Sequence, residues 1–242
     1  MQFVLVLIGA LCVISASATQ RQFVALGAGV GHAIWKNGSI PYWVDVTKSE
    51  NQVKVSETLA KAAAHVHART CVHFYEVAEP TNTAFVTVKD TKEGSCSAGY
   101  SYSYSGGVLT GAGILNYDGC GHQYLTVVHE MMHILGIGHE QKRIDSYDRL
   151  QLNASNVEPA FVGQYTPTFE YAHGEYDWFS LMHYRNTYFG NGNGITFNAA
   201  RTTFDVKCGQ MSDGDIATVN FVSQECWKEP MVPRCRVSAP SG

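Results

Sequence analysis

The sequence predicts an α+β fold with an ordered N-terminal half, a loop-rich C-terminal half and a cleft between them. Three observations predict it. Short β-prone runs and helical periodicities alternate through the first 135 residues. Beyond Gln141 the chain is rich in Gly, Asn and scattered aromatics, with one further periodic stretch. No repeat or linker divides the 242 residues, a length that can bury one sizeable core.

The first eighteen residues stand apart. Phe3 to Ile14 is almost unbroken apolar sequence, and Ala16-Ser17-Ala18 has the small-x-small form of a signal-peptidase site. The run is too short to span a bilayer. Residues 1–18 are therefore expected to be a cleaved export signal, and the protein to be secreted and extracellular. No second long apolar run follows, so no membrane contact is expected after signal removal. Residues 19–34 read as a short pro-segment or N-terminal arm, and 227–242 as a C-terminal tail.

Charged residues are 16% of the chain and the net charge is -4, so nothing suggests a nucleic-acid partner, which would need a basic face, and none is expected. Of seven cysteines, Cys12 leaves with the signal. Cys71, Cys96, Cys120, Cys208, Cys226 and Cys235 remain, an even number that reads as disulfides in an exported chain. The pattern alone leaves their pairing open. Asn37-Gly38-Ser39 and Asn153-Ala154-Ser155 have the form of glycosylation sequons, so a glycoprotein is expected.

The elements follow in order. Ile40-Pro41-Tyr42-Trp43-Val44 reads as a first strand. Val53 to His67 reads as a helix, with Val53, Leu59, Ala60, Ala63 and Val66 at roughly helical spacing. Val72 to Val77 and Ala84 to Val88 are β-prone. Ser97 to Gly113, rich in Gly, Ser and Tyr, lies between Cys96 and Cys120 and reads as a stapled loop or hairpin. Leu125 to Leu135 is a helix apolar on most sides, hence buried. Asp213 to Val222 is the last helix.

The buried helix carries His129-Glu130-Met131-Met132-His133, an H-E-x-x-H string. Positions four apart share a helix face, so two imidazoles can address one ion. Zinc suits neutral nitrogen ligands and leaves a position for water, whose pKa it lowers to about 7. Glu130, beside the first ligand, is placed to take that water's proton. Gly136 can end the helix in the left-handed conformation and swing His139 toward the same ion. The full H-E-x-x-H-x-x-G-x-x-H string makes His129, His133 and His139 the candidate ligands of one Zn2+ per chain. His32, His65, His67, His73, His122 and His173 lack such spacing and read as surface or packing residues.

Residues beyond the third histidine resemble one family. His139-Glu140-Gln141-Lys142-Arg143-Ile144-Asp145 is similar to the H-E-x-x-R-x-D continuation of the astacin family of metzincins. Ser180-Leu181-Met182-His183-Tyr184 resembles that family's Met-turn. Ile40-Pro41-Tyr42 resembles its first strand, and Asp215 to Asn220 with Cys226 its closing helix and cysteine. The resemblance implies a metzincin-like zincin over residues 35–226, with a twisted mixed sheet and two long helices. It implies an endopeptidase acting on proteins or peptides, with Glu130 and Tyr184 catalytic and Tyr184 also a displaceable metal ligand. Met182 would form an apolar floor under the metal, and Glu140 would pair with the amino terminus made by processing. Cys71 with Cys226, and Cys96 with Cys120, would be the family bridges; Cys208 and Cys235 then remain, to form a third bridge or to stay unpaired.

The chain departs from the family pattern in three places. There is no acidic residue between Thr19 and the first strand to hold latency at the metal. Ser146 and Tyr147 stand where the family tends to have Arg and Asp. No interaction domain is expected to trail Cys226, and substrate choice is expected to come from the cleft. Substrate is expected to add as an extended strand to a sheet edge, with Gly113 to Tyr117 as that edge, and the protein to act as a monomer. The alternative is a zinc-binding protein that no longer cleaves and serves as a binding or matrix protein.

Overall fold

The computed structural model describes Trp35, 38–46, 49–80, 84–90, 94–105, 108–168, 173–199 and 210–223. The expected export signal, the arm up to residue 34, the tail, and Cys208, Cys226 and Cys235 lie outside the described residues. Five strands form one mixed sheet: β1 (Ser39–Asp45), β2 (His73–Glu76), β3 (Phe85–Lys89), β4 (Ser97–Ser105) and β5 (Val108–Asn116). Their spatial order is β2-β1-β3-β5-β4. β1 is parallel to β2 and β3, β3 is parallel to β5, and β4 alone runs antiparallel. Parallel neighbours need a crossover, and α1 (Ser49–His67) supplies the one between β1 and β2.

α1 starts four residues earlier than its periodicity predicts, and its buried stripe differs in phase. Val55, Leu59, Ala62, Ala63 and Val66 are buried, whereas Val53 is 64% exposed and Ala60 is exposed. Spacings of four, three and four from Val55 through Leu59 and Ala62 to Val66 keep one face inward. Val53 lies two positions from Val55, about 200° around the helix, and so meets water.

α2 (Tyr124–Ile134) carries the H-E-x-x-H string and packs on α1 and the sheet. Val127, Val128, Met131, Met132 and Ile134 are buried in one cluster with Ile40, Tyr42, Val44, Phe74, Val86, Val88 and Leu115. α2 lies close over β5 because Gly113 has no side chain: a Cβ there would meet Val86 Cγ2 at 2.9 Å and Ile134 Cδ1 at 3.0 Å. The indole Nε1–H of buried Trp35 donates to the Ile134 carbonyl at 3.0 Å, tying the start of the domain to the end of α2.

The stretch between the two cysteines is a hairpin, β4 with β5, paired over nine residues on each strand. Cys96 and Cys120 clasp its open end in a disulfide. Cys71 is also disulfide-bonded, to a cysteine outside the described residues. The expected edge, Gly113 to Tyr117, is not one. β5 is held on one side by β3 and on the other by β4, so its backbone groups are spent in ladders. β4 is the edge, because the hairpin folds outward from the sheet rather than inward.

The second half has little regular structure, as its composition predicts. Short 3-10 turns run from Glu140 to Tyr165, β6 (Leu150–Leu152) pairs with β7 (Phe197–Ala199), and α3 (Asp213–Val222) closes the domain. Val157, Tyr165 and Phe197 form a small second core. No helix among the described residues is long and apolar enough to cross a membrane.

Gly113→Ala should lower stability by about 1–3 kcal/mol, the range for overpacking a filled core. Denaturant unfolding of the variant checks this. An unchanged midpoint would mean that α2 does not press on β5 as closely as described.

Candidate metal centre

His129 and His133 stand on the last turns of α2, and the turn that ends α2 brings in the third imidazole. Gly136 adopts φ 84°, its N–H donates to the His133 carbonyl at 2.9 Å, and the Ile137 N–H donates to the Met132 carbonyl at 3.1 Å. This pair of bonds is a Schellman motif, which requires a left-handed residue where Gly136 stands. The reversal carries His139 back over the helix end. His139 Nε2 lies 3.3 Å from His129 Nε2 and 3.2 Å from His133 Nε2.

The tautomers follow from the other ring nitrogens. His129 Nδ1 lies 2.7 Å from the Leu181 carbonyl, and His133 Nδ1 lies 2.7 Å from the Ile137 carbonyl. A carbonyl only accepts, so each Nδ1 carries the proton and each Nε2 presents a lone pair. Lone pairs facing one another at this distance repel unless a cation joins them. Tetrahedral zinc with nitrogens at about 2.0–2.1 Å sets those nitrogens about 3.3 Å apart, which matches the separations seen. Burial lowers the pKa of all three, to about 4 for His129 and about 2 for His139. All three are therefore neutral at physiological pH, each with a lone pair that could bind a metal ion. The donor set fits a zinc ion, and it is the single such cluster of three among the described residues.

Glu130 points into the same cleft of about 610 Å³, which the three histidines, Ser97, Ala98, Tyr184, Arg185, Tyr188 and Phe189 also line. The carboxylate is buried and its Oε2 has no hydrogen-bond partner. Burial pushes its pKa up to about 7, against the opposing effect of the Ala98 N–H on the edge strand.

The turn after the third ligand is tied together by charge. Glu140 Oε1 accepts from Arg143 Nη1 at 2.9 Å and from the Asp177 N–H at 2.7 Å. Arg143 also grips both oxygens of Asp145, each at 2.9 Å. Burial still raises the Glu140 pKa to about 7, with Arg143 pulling the other way. Its expected partner, the processed amino terminus, lies outside the described residues. The Glu140 N–H donates to the Met182 carbonyl at 2.9 Å. Met182 itself is buried and borders a small cavity with Met132, Ile137 and His139.

Tyr184 lies beside the triad, its ring centroid 4.5 Å from that of His139. Its hydroxyl donates to Gln164 Oε1 at 3.4 Å, and its N–H donates to Gln141 Oε1 at 3.1 Å. Neither glutamine is singled out by the sequence. Asp215 is a further residue of the site whose role sequence reasoning misses. It accepts from Ser180 Oγ at 2.6 Å, the Leu181 N–H at 2.9 Å and the Ser212 N–H at 3.0 Å. Ser212 and Asp215 make the reciprocal cap of α3, and the S-x-x-D string is the available signal. Of the histidines read as packing residues, His65 is buried and accepts the Met211 N–H, and His173 stacks on Phe221.

A family model described as Astacin, a peptidase family, matches residues 30–224. Zinc metalloproteinase nas-6 of Caenorhabditis elegans is 30% identical over 194 residues, which are 77% of this chain and 52% of that protein. Bone morphogenetic protein 1 of Xenopus laevis is 29% identical over 197 residues, 76% of this chain and 26% of that protein. The chain thus spans about half the length of these curated relatives, or less. Among solved structures, high choriolytic enzyme 1, a hatching enzyme zinc-protease of Oryzias latipes, superposes with a TM-score of 0.64 at 25% identity. The match covers 80% of this chain and 95% of that one.

Two outcomes are expected. The lowered histidine pKa values keep the three imidazoles neutral, so as pH falls from about 8 to about 5 zinc affinity should decline only with the shallow slope of one proton, that of Glu130, whose pKa of about 7 a cation would draw down. Competition titration with a chromophoric chelator measures this; a steep fall centred near pH ~6.5, the value of an unperturbed histidine, would contradict it. Asp215→Ala leaves two N–H groups and a hydroxyl without their acceptor and should destabilise the protein by about 3–5 kcal/mol. It should also weaken zinc binding by about tenfold or more, because the Leu181 carbonyl that orients His129 loses its support. Denaturant unfolding and the same chelator titration read the two effects.

Proposed function

Because the chain belongs to the astacin family of peptidases, we propose that it works as a secreted zinc-dependent endopeptidase on protein or peptide substrates. The observation that carries this reading is the unbonded Glu130 Oε2, buried in the cleft on which three imidazole nitrogens converge. His129, His133 and His139 would hold one zinc ion, which when bound acidifies water and polarises a carbonyl.

The chain's own residues do the rest. The Ala98 N–H holds one carboxylate oxygen of Glu130, which aims the other into the cleft. Glu130 takes the proton of the attacking water on Oε2 and later delivers it to the leaving amine. A site carboxylate that burial has lifted toward neutrality can do both. A bound cation draws its pKa back down, which keeps it a base before attack. Tyr184, beside His139 in the cleft wall, would serve as a displaceable ligand, and its hydroxyl would donate to the oxyanion of the tetrahedral intermediate. Met182, buried beside His139, would form an apolar floor under the ligands. Substrate adds to the outer edge of β4, where Ser97 and Ala98 line the cleft. The Cys96–Cys120 disulfide clasps the hairpin that carries this edge, and Cys226 is the partner proposed for the disulfide-bonded Cys71.

Glu130→Ala should keep one equivalent of zinc and lose about 10²–10⁴-fold in casein hydrolysis, the range for a lost general base. Wild-type activity in that variant would remove Glu130 from the role. If the native protein binds zinc yet shows no chelator-sensitive cleavage, the binding-protein alternative takes its place.

A further inference from the structure

The cleft wall beside His139 holds a frame that the catalytic reading does not use. Gln141 is fully buried, and its amide links two segments of the loop-rich half. Its Oε1 accepts the Tyr184 N–H at 3.1 Å and its Nε2 donates to the Gln164 carbonyl at 3.5 Å. The backbones of Tyr184 and Gln164 are thereby tied to the zinc-binding string itself, two residues beyond His139. Against this fixed backbone the Tyr184 side chain lies in an aromatic slot. His139, Tyr188 and Phe189 stand 4.5, 5.6 and 5.4 Å from it, centroid to centroid, and Tyr165 closes the slot at 6.0 Å. At the slot's end the Tyr184 hydroxyl meets Gln164 Oε1.

We propose that Gln164 is a positioning residue: its side-chain amide receives the Tyr184 hydroxyl whenever that hydroxyl is away from the metal. The inference rests on the reading of Tyr184 as a displaceable ligand. A phenol leaving a metal inside a cleft must find another partner or carry an unpaired polar group into a poorly hydrated wall. Gln164 offers that partner, so departure exchanges one bond for another. When an oxyanion forms, its charge makes it the stronger acceptor, and the hydroxyl moves from Gln164 to it. The long contact, 3.4 Å, suits a partner that is readily released. Gln141 holds the Tyr184 backbone at 3.1 Å and reaches the Gln164 carbonyl at 3.5 Å, so the exchange needs only a side-chain rotation.

The test compares Gln164→Leu with native protein, each alone and with Tyr184→Phe. In copper(II)-substituted protein a coordinated phenolate absorbs in the visible by charge transfer, so the band reports how much Tyr184 sits on the metal. Gln164→Leu should strengthen the band and lower kcat about fivefold, with KM unchanged. Gln164→Glu, which keeps an acceptor oxygen, should recover most of the loss. In the Tyr184→Phe background, which has no band, Gln164→Leu should change nothing further. If Tyr184→Phe lowers kcat and abolishes the band but Gln164→Leu matches native protein, Gln164 has no such role. The same holds if the Gln164→Leu loss persists in full beside Tyr184→Phe, since that is a packing effect. If Tyr184→Phe alters neither the band nor kcat, the reading of Tyr184 is wrong and this inference falls with it.

Discussion

Two backbone carbonyls, those of Leu181 and Ile137, hold the metal centre in its shape. Each takes an imidazole Nδ1–H at 2.7 Å and so leaves the Nε2 lone pair facing the point on which the three rings converge. Without them either ring could carry its proton on Nε2, and the triad would close on itself by hydrogen bonding. The two carbonyls come from different places. Ile137 belongs to the turn made possible by Gly136, so one glycine conformation both orients the second ligand and delivers the third. Leu181 belongs to the loop-rich half, 52 residues away, and reaches His129 across the domain.

That distance explains why the second half, poor in ladders, is rich in buried polar side chains. Its backbone groups must be paired somewhere, and side chains do it. Asp215 holds the Ser180–Leu181 turn and the start of α3 together. Arg143 gathers Glu140, Asp145 and the carbonyls of Gly174 and Glu175. Burial nevertheless lifts Asp215 to about 6 and Glu140 to about 7, so their bonds do not fully offset the loss of hydration. Buried charges of this kind add little net stability. What they add is register: Leu181 and Met182 stay where His129 and Glu140 need them.

How much of this is legible in the sequence depends on the range of the interaction. The zinc string is legible, because H-E-x-x-H and the glycine act through helix period and one turn. The Cys96–Cys120 clasp is present as the resemblance implies, and α3 has the span its sequence predicts. The buried phase of α1 escapes sequence reading because alanines such as Ala60 and Ala62 score alike, and only packing decides which faces in. The edge strand escapes it because nothing local in Gly113 to Tyr117 says whether β4 folds outside it or not. Asp215, Gln141 and Gln164 are invisible as site residues, since what they hold in the site, Leu181 for the first and Tyr184 for the other two, lies between 20 and 43 residues away in sequence.

The corrected edge has a chemical consequence. In an antiparallel pair, backbone groups point alternately toward the partner strand and away from it. Ala98 turns its N–H away from β5 and toward Glu130. By the same alternation the backbone of Tyr100 points to the outer side, and that of Gly99 toward β5. An extended peptide lying along this side would pair with the strand whose Ala98 N–H also holds the Glu130 carboxylate. Binding and proton transfer would then share one rigid reference, and the spacing between a bound scissile bond and Glu130 would be set by the pleat of β4. An internal strand such as β5 could not do this, because both of its sides are already paired.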